Sequence, residues 1–238
     1  MKIPKIKGLI ERRILINYRV KIDILKEYLP KPFEPIEVNK YGIVGICLIR
    51  LKNIRPIGIP SKFGIESENG AHRIAVKWKE KNGFKEGVYI PRRDTSSKIN
   101  SIVGGKIFPG EHHLSEFKVK ENNNKYEIKF NNEDGTVLEI YAEAASNYSE
   151  NSIFKNIEEA SKFFEKGAIG YSPNKSNCYD CLELKTYKWN VEPLNVKYVK
   201  SSFFENSEIF PEDSVEFDNA LLMKNIEHEW NMKPPIKN

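Results

Sequence analysis

The feature that most constrains this chain is a two-residue alternation of β-branched and aromatic residues that returns in segment after segment. Successive side chains of a strand point to opposite faces, so this alternation predicts strands with one apolar side. It predicts them over 14–20, 42–51, 71–78, 84–90, 114–120, 126–130, 137–145, 182–191, 196–204 and 215–223. Turn chemistry separates several of them: Lys81-Asn82-Gly83, Asn122-Asn123-Asn124 and Asp134-Gly135. Three helices interrupt the pattern. One covers 22–29 and is stopped by Pro30. A second follows the cap candidates at 94–97, carries Ile99, Ile102 and Val103, and ends at Gly104-Gly105. In the third, Asn156 and Glu159 form a capping-box variant, Phe163 and Phe164 supply bulk, and Gly167 closes it. The expected class is α+β, mostly β, built on a curved or barrel-like antiparallel sheet.

The 238 residues fit one large domain or two small ones. The polar stretch from Asn147 to Asn156 is either a boundary or a long loop. With no repeat, low-complexity segment or linker, the expectation is one domain over 1–238. A net charge of +5 is mildly basic, and Lys and Arg alternate with Asp and Glu rather than forming a stripe, so no nucleic-acid partner is expected. No apolar run approaches the roughly 20 residues that span a bilayer, so no membrane is expected either. Residues 1–8 contain no secretory h-region, and three cysteines make no disulfide framework. The chain reads as cytoplasmic. Cys47 lies in an apolar run, as a small buried hydrophobe would.

Polar residues concentrate in three groups: Glu66, Glu68, Asn69, His72 and Arg73; Arg92, Arg93, Asp94 and Asn100; Glu111, His112, His113 and Glu116. Strand parity puts His72 with Ile74, Val76 and Trp78, and Arg73 opposite. His72 is then either an acid–base or ligand-orienting group or a core histidine. Arg92 shares parity with Val88 and Ile90, which aims it at an interior, whereas Arg93 points away. Arg92 either binds a carboxylate or phosphate beside a helix N-terminus or pairs with Asp94 to fix the turn. His112 and His113 must face opposite sides of a strand, and sequence leaves open which faces a cavity. Glu216 and Asp218 either enter a cavity or face solvent. There is no HExxH, HxH or i, i+4 histidine pair, and Cys178-Tyr179-Asp180-Cys181 stands alone, so no metal and no cofactor are predicted.

Several stretches taken in order carry a family resemblance. They are 12–20, 44–50, Ser67-Glu68-Asn69-Gly70-Ala71-His72-Arg73, Gly87-Val88-Tyr89-Ile90-Pro91-Arg92-Arg93-Asp94-Thr95 and Gly104-Gly105-Lys106-Ile107-Phe108-Pro109-Gly110-Glu111-His112-His113. Late ones are Gly170-Tyr171-Ser172-Pro173, 199–204 and Ile226-Glu227-His228-Glu229-Trp230. The chain resembles the YqjF-like family of unknown function (domain of unknown function 2071), within the acetoacetate-decarboxylase-like superfamily. That resemblance implies a curved antiparallel sheet or barrel around a central cavity. Gly104 to Pro109 resembles the glycine-led segment before the decarboxylase's paired lysines. Where those lysines stand, this chain has Gly110, Glu111, His112 and His113. Imidazole forms no stable imine with a ketone, so Schiff-base chemistry is not expected to carry over, with Lys106 a weak alternative nucleophile. Arg12 or Arg13 falls near the decarboxylase's substrate-binding arginine. The superfamily often assembles, which leaves a homodimer open.

Two functional classes use one cavity. An enzyme acting on a small carbonyl or carboxylate compound would use His112, His113 and His72 for proton transfer. Arg92, Glu68, Asn69, Arg12 and Glu116 would then hold substrate. A non-catalytic small-ligand binder would use the same pocket. In a third class, a structural or partner-binding protein, the polar clusters merely tie loops together.

Overall fold

The computed structural model describes residues 5–104, 109–174 and 176–237. The chain begins with β1 (Ile6–Lys21), α1 (Ile22–Tyr28) and two short strands, β2 (Glu34–Pro35) and β3 (Glu37–Val38). Three long strands follow: β4 (Tyr41–Pro56), β5 (Ile65–Glu80) and β6 (Gly83–Thr95). After α2 (Lys98–Val103) come β7 (His112–Leu114), β8 (Glu116–Asn122), β9 (Lys125–Asn131) and β10 (Val137–Ala144). Then α3 (Ile157–Glu165) leads to β11 (Ile169–Pro173), β12 (Cys178–Thr186), β13 (Glu192–Ser201) and β14 (Val215–Lys237). The fold is mostly β with a curved sheet.

The strands β1, β4, β5, β6, β11, β12 and β14 follow one another edge to edge, and β14 pairs back onto β1. The sheet therefore closes on itself as a barrel. The β6–β11 contact is parallel, and the other joints of the ring are antiparallel. From β14 a branch of β13, β10, β9 and β8 continues outside the ring.

Barrel strands are thus buried on both faces, which is why β1 reads Ile14-Leu15-Ile16 without a polar break. Ile14 and Ile16 point outward into the main core with Ile74, Ile128 and Leu138. Leu15, Cys47 and Ala75 point inward, where Phe154, Phe164 and Leu221 join them. Burying one such aliphatic side chain contributes roughly 1.5–3 kcal/mol, so both faces hold the ring shut.

Local chemistry explains the helices. In α3 the Asn156 side chain accepts from Glu159 N at 2.9 Å, and Glu159 reaches back to Lys155 N at 3.0 Å, a reciprocal cap. In α2 the cap is Ser97, which accepts from Asn100 N at 3.2 Å.

Several strand ends differ from the alternation. The expected strand 182–191 is β12, which begins at Cys178 and stops at Thr186. The one expected over 196–204 is β13, Glu192–Ser201. The run 114–120 breaks at Ser115, whose hydroxyl donates to Asp94 Oδ1 at 2.9 Å. β14 continues to Lys237 because it has partners along its whole length: β1 and β13 first, then β1 and β12. β11 was not legible as a strand; two residue pairs to β6 and five to β12 hold it. No helix among the described residues is long and apolar enough to cross a membrane.

Candidate functional site

Residues from every strand of the ring line a void inside the barrel. Arg13, Cys47, Arg73, Arg93, Leu182 and Trp230 stand around it, and α3 lays Phe163 and Phe164 against one end. The space there is about 110 Å³, and a second lobe of about 80 Å³ shares Cys47, Arg93 and Trp230 and reaches Asn69 and His112. On this measure one water needs roughly 10–15 Å³, so a molecule of several heavy atoms fits.

The lumen is cationic. Arg13 is 8% exposed; its Nε donates to Cys47 Sγ at 3.1 Å, its guanidinium lies 5.7 Å from the Trp189 ring centroid, and one amino nitrogen has no partner. Arg73 is 5% exposed and donates to Asn17 Oδ1, stacks 5.0 Å over Phe164, and keeps Nε unpartnered. Arg93 donates from Nε to Ser172 Oγ at 3.0 Å. Burial pushes both Arg73 and Arg93 down to about 10, still protonated at neutral pH. Among the described residues none of these three guanidiniums is paired with a carboxylate. Glu86 and Lys166, at the rim, pair with each other at 3.1 Å.

A bulge explains why Arg93 and not Arg92 enters. His72 faces Arg92 across the β5–β6 ladder and Ile74 faces Tyr89, so two steps on β5 match three on β6. The slip falls at Ile90-Pro91, where a residue without an N–H is tolerated. Parity inverts beyond it, and Val88, Ile90 and Arg93 all reach the lumen. Arg92 is carried to the outer face, where it forks onto Asp94 at 2.8 Å and Asp134 at 2.6 Å. The expected aim of these two arginines is therefore reversed.

Parallel pairing of β7 with β6 sets Arg93 beside His112 and Asp94 beside His113. His112 lines the inner lobe. Burial, with the Arg93 charge adding, pushes its imidazole down to about 3, so it is neutral at pH 7 and can accept a proton. Gly110, at φ +77°, lets this segment close over the site; a Cβ there would meet Ser172 Cβ at 2.5 Å.

No family model matches the sequence, and no curated protein matches it. Solved structures do. Acetoacetate decarboxylase from Legionella pneumophila aligns over 98% of this chain and 88% of its own at 12% identity, with a TM-score of 0.61. An acetoacetate-decarboxylase-like enzyme from Sphingomonas wittichii aligns over 100% and 94% at 7% identity, TM-score 0.61. The enduracididine biosynthesis enzyme MppR, solved with pyruvate, aligns over 99% and 90% at 6% identity, TM-score 0.59. The chain has the acetoacetate-decarboxylase-like fold.

In this acetoacetate-decarboxylase-like barrel, His112 and Asn69 of the residues predicted from sequence border the lumen. His113 lies on a cleft outside with its Nδ1 3.9 Å from Asp134. His72 is fully buried on the outer face, 4.6 Å from the Phe203 ring, with no hydrogen-bond partner on either nitrogen among the described residues. Arg12 also points outward, because Arg13 takes the inward position of β1. Arg12 and Glu68 join Arg50 and Glu121 in an ion network outside the lumen. Glu116 is exposed and pairs with Lys118 at 3.2 Å. Asp218 is buried under the 149–153 loop, accepting from Ser152 Oγ and Ile153 N. Lys106 lies outside the described residues. Among the described residues no cluster of three or more His, Cys, Asp or Glu could hold a metal ion. Sequence reasoning missed Cys47, Arg73 and Arg93. Pro91 inside a strand run was the available signal for a parity change.

Proposed function

We propose that this chain is an enzyme of the YqjF-like family that acts on a small 2-oxo acid or related carbonyl carboxylate held in the barrel lumen. The observation that carries this reading is the set of three guanidiniums facing one void, Arg13 and Arg73 buried and Arg93 half-buried, without a carboxylate partner among the described residues. An uncompensated buried cation costs several kcal/mol, and a bound carboxylate offsets that cost with charge-assisted, bidentate hydrogen bonds. The pyruvate held by the similarly folded MppR is a ligand of this chemical class. Neutral His112, beside Arg93, is the proton acceptor, and the guanidiniums stabilise the oxyanion or enolate that forms. Schiff-base formation is not part of this reading, since Gly110, Glu111, His112 and His113 stand where the resemblance would put the decarboxylase's lysine pair.

The test is thermal unfolding of the intact chain with pyruvate, oxaloacetate and acetoacetate, set against acetone and methyl pyruvate. The acids are expected to raise Tm and the uncharged analogues to leave it unchanged. His112→Ala is expected to keep the acid-induced shift and lose turnover of whichever acid is consumed. Equal shifts with charged and uncharged compounds would sink the lumen reading. Binding by wild type with no turnover of any acid in the panel would make the chain a ligand-binding protein. Borohydride reduction in the presence of pyruvate is expected to trap no adduct on any lysine.

A further inference from the structure

We infer that Cys47 is the nucleophile of this lumen, adding reversibly through sulfur to the carbonyl carbon of the anionic compound the arginines hold. The inference rests on the anion-binding reading above and adds to it a covalent step. Cys47 sits on β4, 4% exposed and unpaired, inside a run that by sequence is merely apolar. In the folded chain its side chain faces the cationic void. Sγ accepts the Arg13 Nε–H at 3.1 Å, which fixes the direction of the sulfur. Cys47 borders both lobes of the cavity: one with Arg73, the other with His112, and both with Arg93. Two nitrogens of the arginines that line this void with it, one amino nitrogen of Arg13 and Nε of Arg73, are buried without a partner among the described residues, a demand that a bound anion would meet.

Cys181 shows what a merely buried thiol looks like here. It lies on the outer face in the aromatic core beside Tyr171, and burial pushes its thiol up.

The step balances without an oxidant or a further reactant. The S–C bond forms and the C=O π bond breaks. The thiol proton is passed to the carbonyl oxygen, with neutral His112 as the carrier, giving a hemithioketal. The arginines hold the carboxylate and stabilise the oxygen's developing charge.

Alkylation with a charged and an uncharged reagent tests this. Intact protein at pH 7 is treated with iodoacetate or with iodoacetamide at equal concentration, and peptide masses report modification at Cys47, Cys178 and Cys181. An ordinary thiol reacts faster with iodoacetamide. Cys47 is expected to react about tenfold faster with iodoacetate, with saturation, because fixed cations concentrate the anion at the sulfur. Pyruvate is expected to slow that labelling, and Arg13→Met to remove the preference. A Cys47 that stays unmodified by both reagents, or prefers iodoacetamide, overturns the inference. The Cys47→Ser variant separates this failure from failure of the wider reading. If pyruvate still raises the Tm of wild type and of Cys47→Ser while Cys47 is inert, the lumen binds anions and Cys47 is no nucleophile. If pyruvate shifts neither protein, the lumen reading itself has failed.

Discussion

Arg13 is the residue where binding and stability pull in opposite directions. Its guanidinium is buried, stacks near Trp189 and among the described residues makes one hydrogen bond, to sulfur, a weak acceptor. In the unliganded chain it is a desolvated charge with little in return. Replacing it with methionine, similar in length and apolar, is therefore expected to raise stability by about 1–2 kcal/mol. The same Arg13→Met change is expected to shrink the Tm rise produced by pyruvate. Urea unfolding of both proteins with and without pyruvate reads both effects. A variant less stable than wild type in the absence of ligand would show instead that the arginine holds the lumen walls together. Arg13 and Arg12 also show what a single residue's type leaves undecided. Both were visible as neighbours of a strand, yet only the closed barrel makes one face of that strand an interior cavity and the other a contact with Glu68 and Glu121.

At the scale of elements, α3 closes one end of the lumen, and its start depends on the Asn156–Glu159 cap. A nine-residue helix is too short to be stable without tertiary contacts, so the cap and the packing of Phe164 act together. Asn156→Ala is expected to cost about 1 kcal/mol. Faster amide exchange is expected across Ile157–Glu165 while β1 stays protected, as hydrogen-exchange mass spectrometry would show. Uniform loss of protection would mean that α3 unfolds only with the barrel. This cap was legible because its partners are three residues apart. The bulge at Ile90-Pro91 was not, because a register slip exists only relative to the neighbouring strand. The extra length of β14 was hidden for the same reason: its partners β1, β12 and β13 come from distant parts of the chain.

The whole molecule carries three histidines, His72, His112 and His228, whose burial makes it acid-sensitive. Burial pushes His72 and His112 down to about 3 and His228 down to about 4, from the ordinary 6.5. Above pH 6.5 both states are neutral there, and the native advantage is complete. As pH falls below 6.5, only the unfolded chain takes up these protons, so stability drops until the native imidazoles themselves titrate. The expected loss between pH 6.5 and 5 is about 1.5 kcal/mol for each histidine. His72→Leu is expected to remove about a third of that three-histidine slope in urea unfolding at a series of pH values, and to leave the pyruvate-induced Tm shift unchanged. A variant that loses the pyruvate shift would restore His72 to the site. The sequence by itself determined the strand-rich class, the helix caps and the run that bears His112, since alternation, capping and turn chemistry act between near neighbours. Only the tertiary structure decided that the sheet closes, that Arg13, Arg73, Arg93 and Cys47 share one void, and that His72 and Arg92 do not reach it. Inside and outside of a strand are properties of the ring it joins, and the ring is set by pairings between residues far apart in the chain.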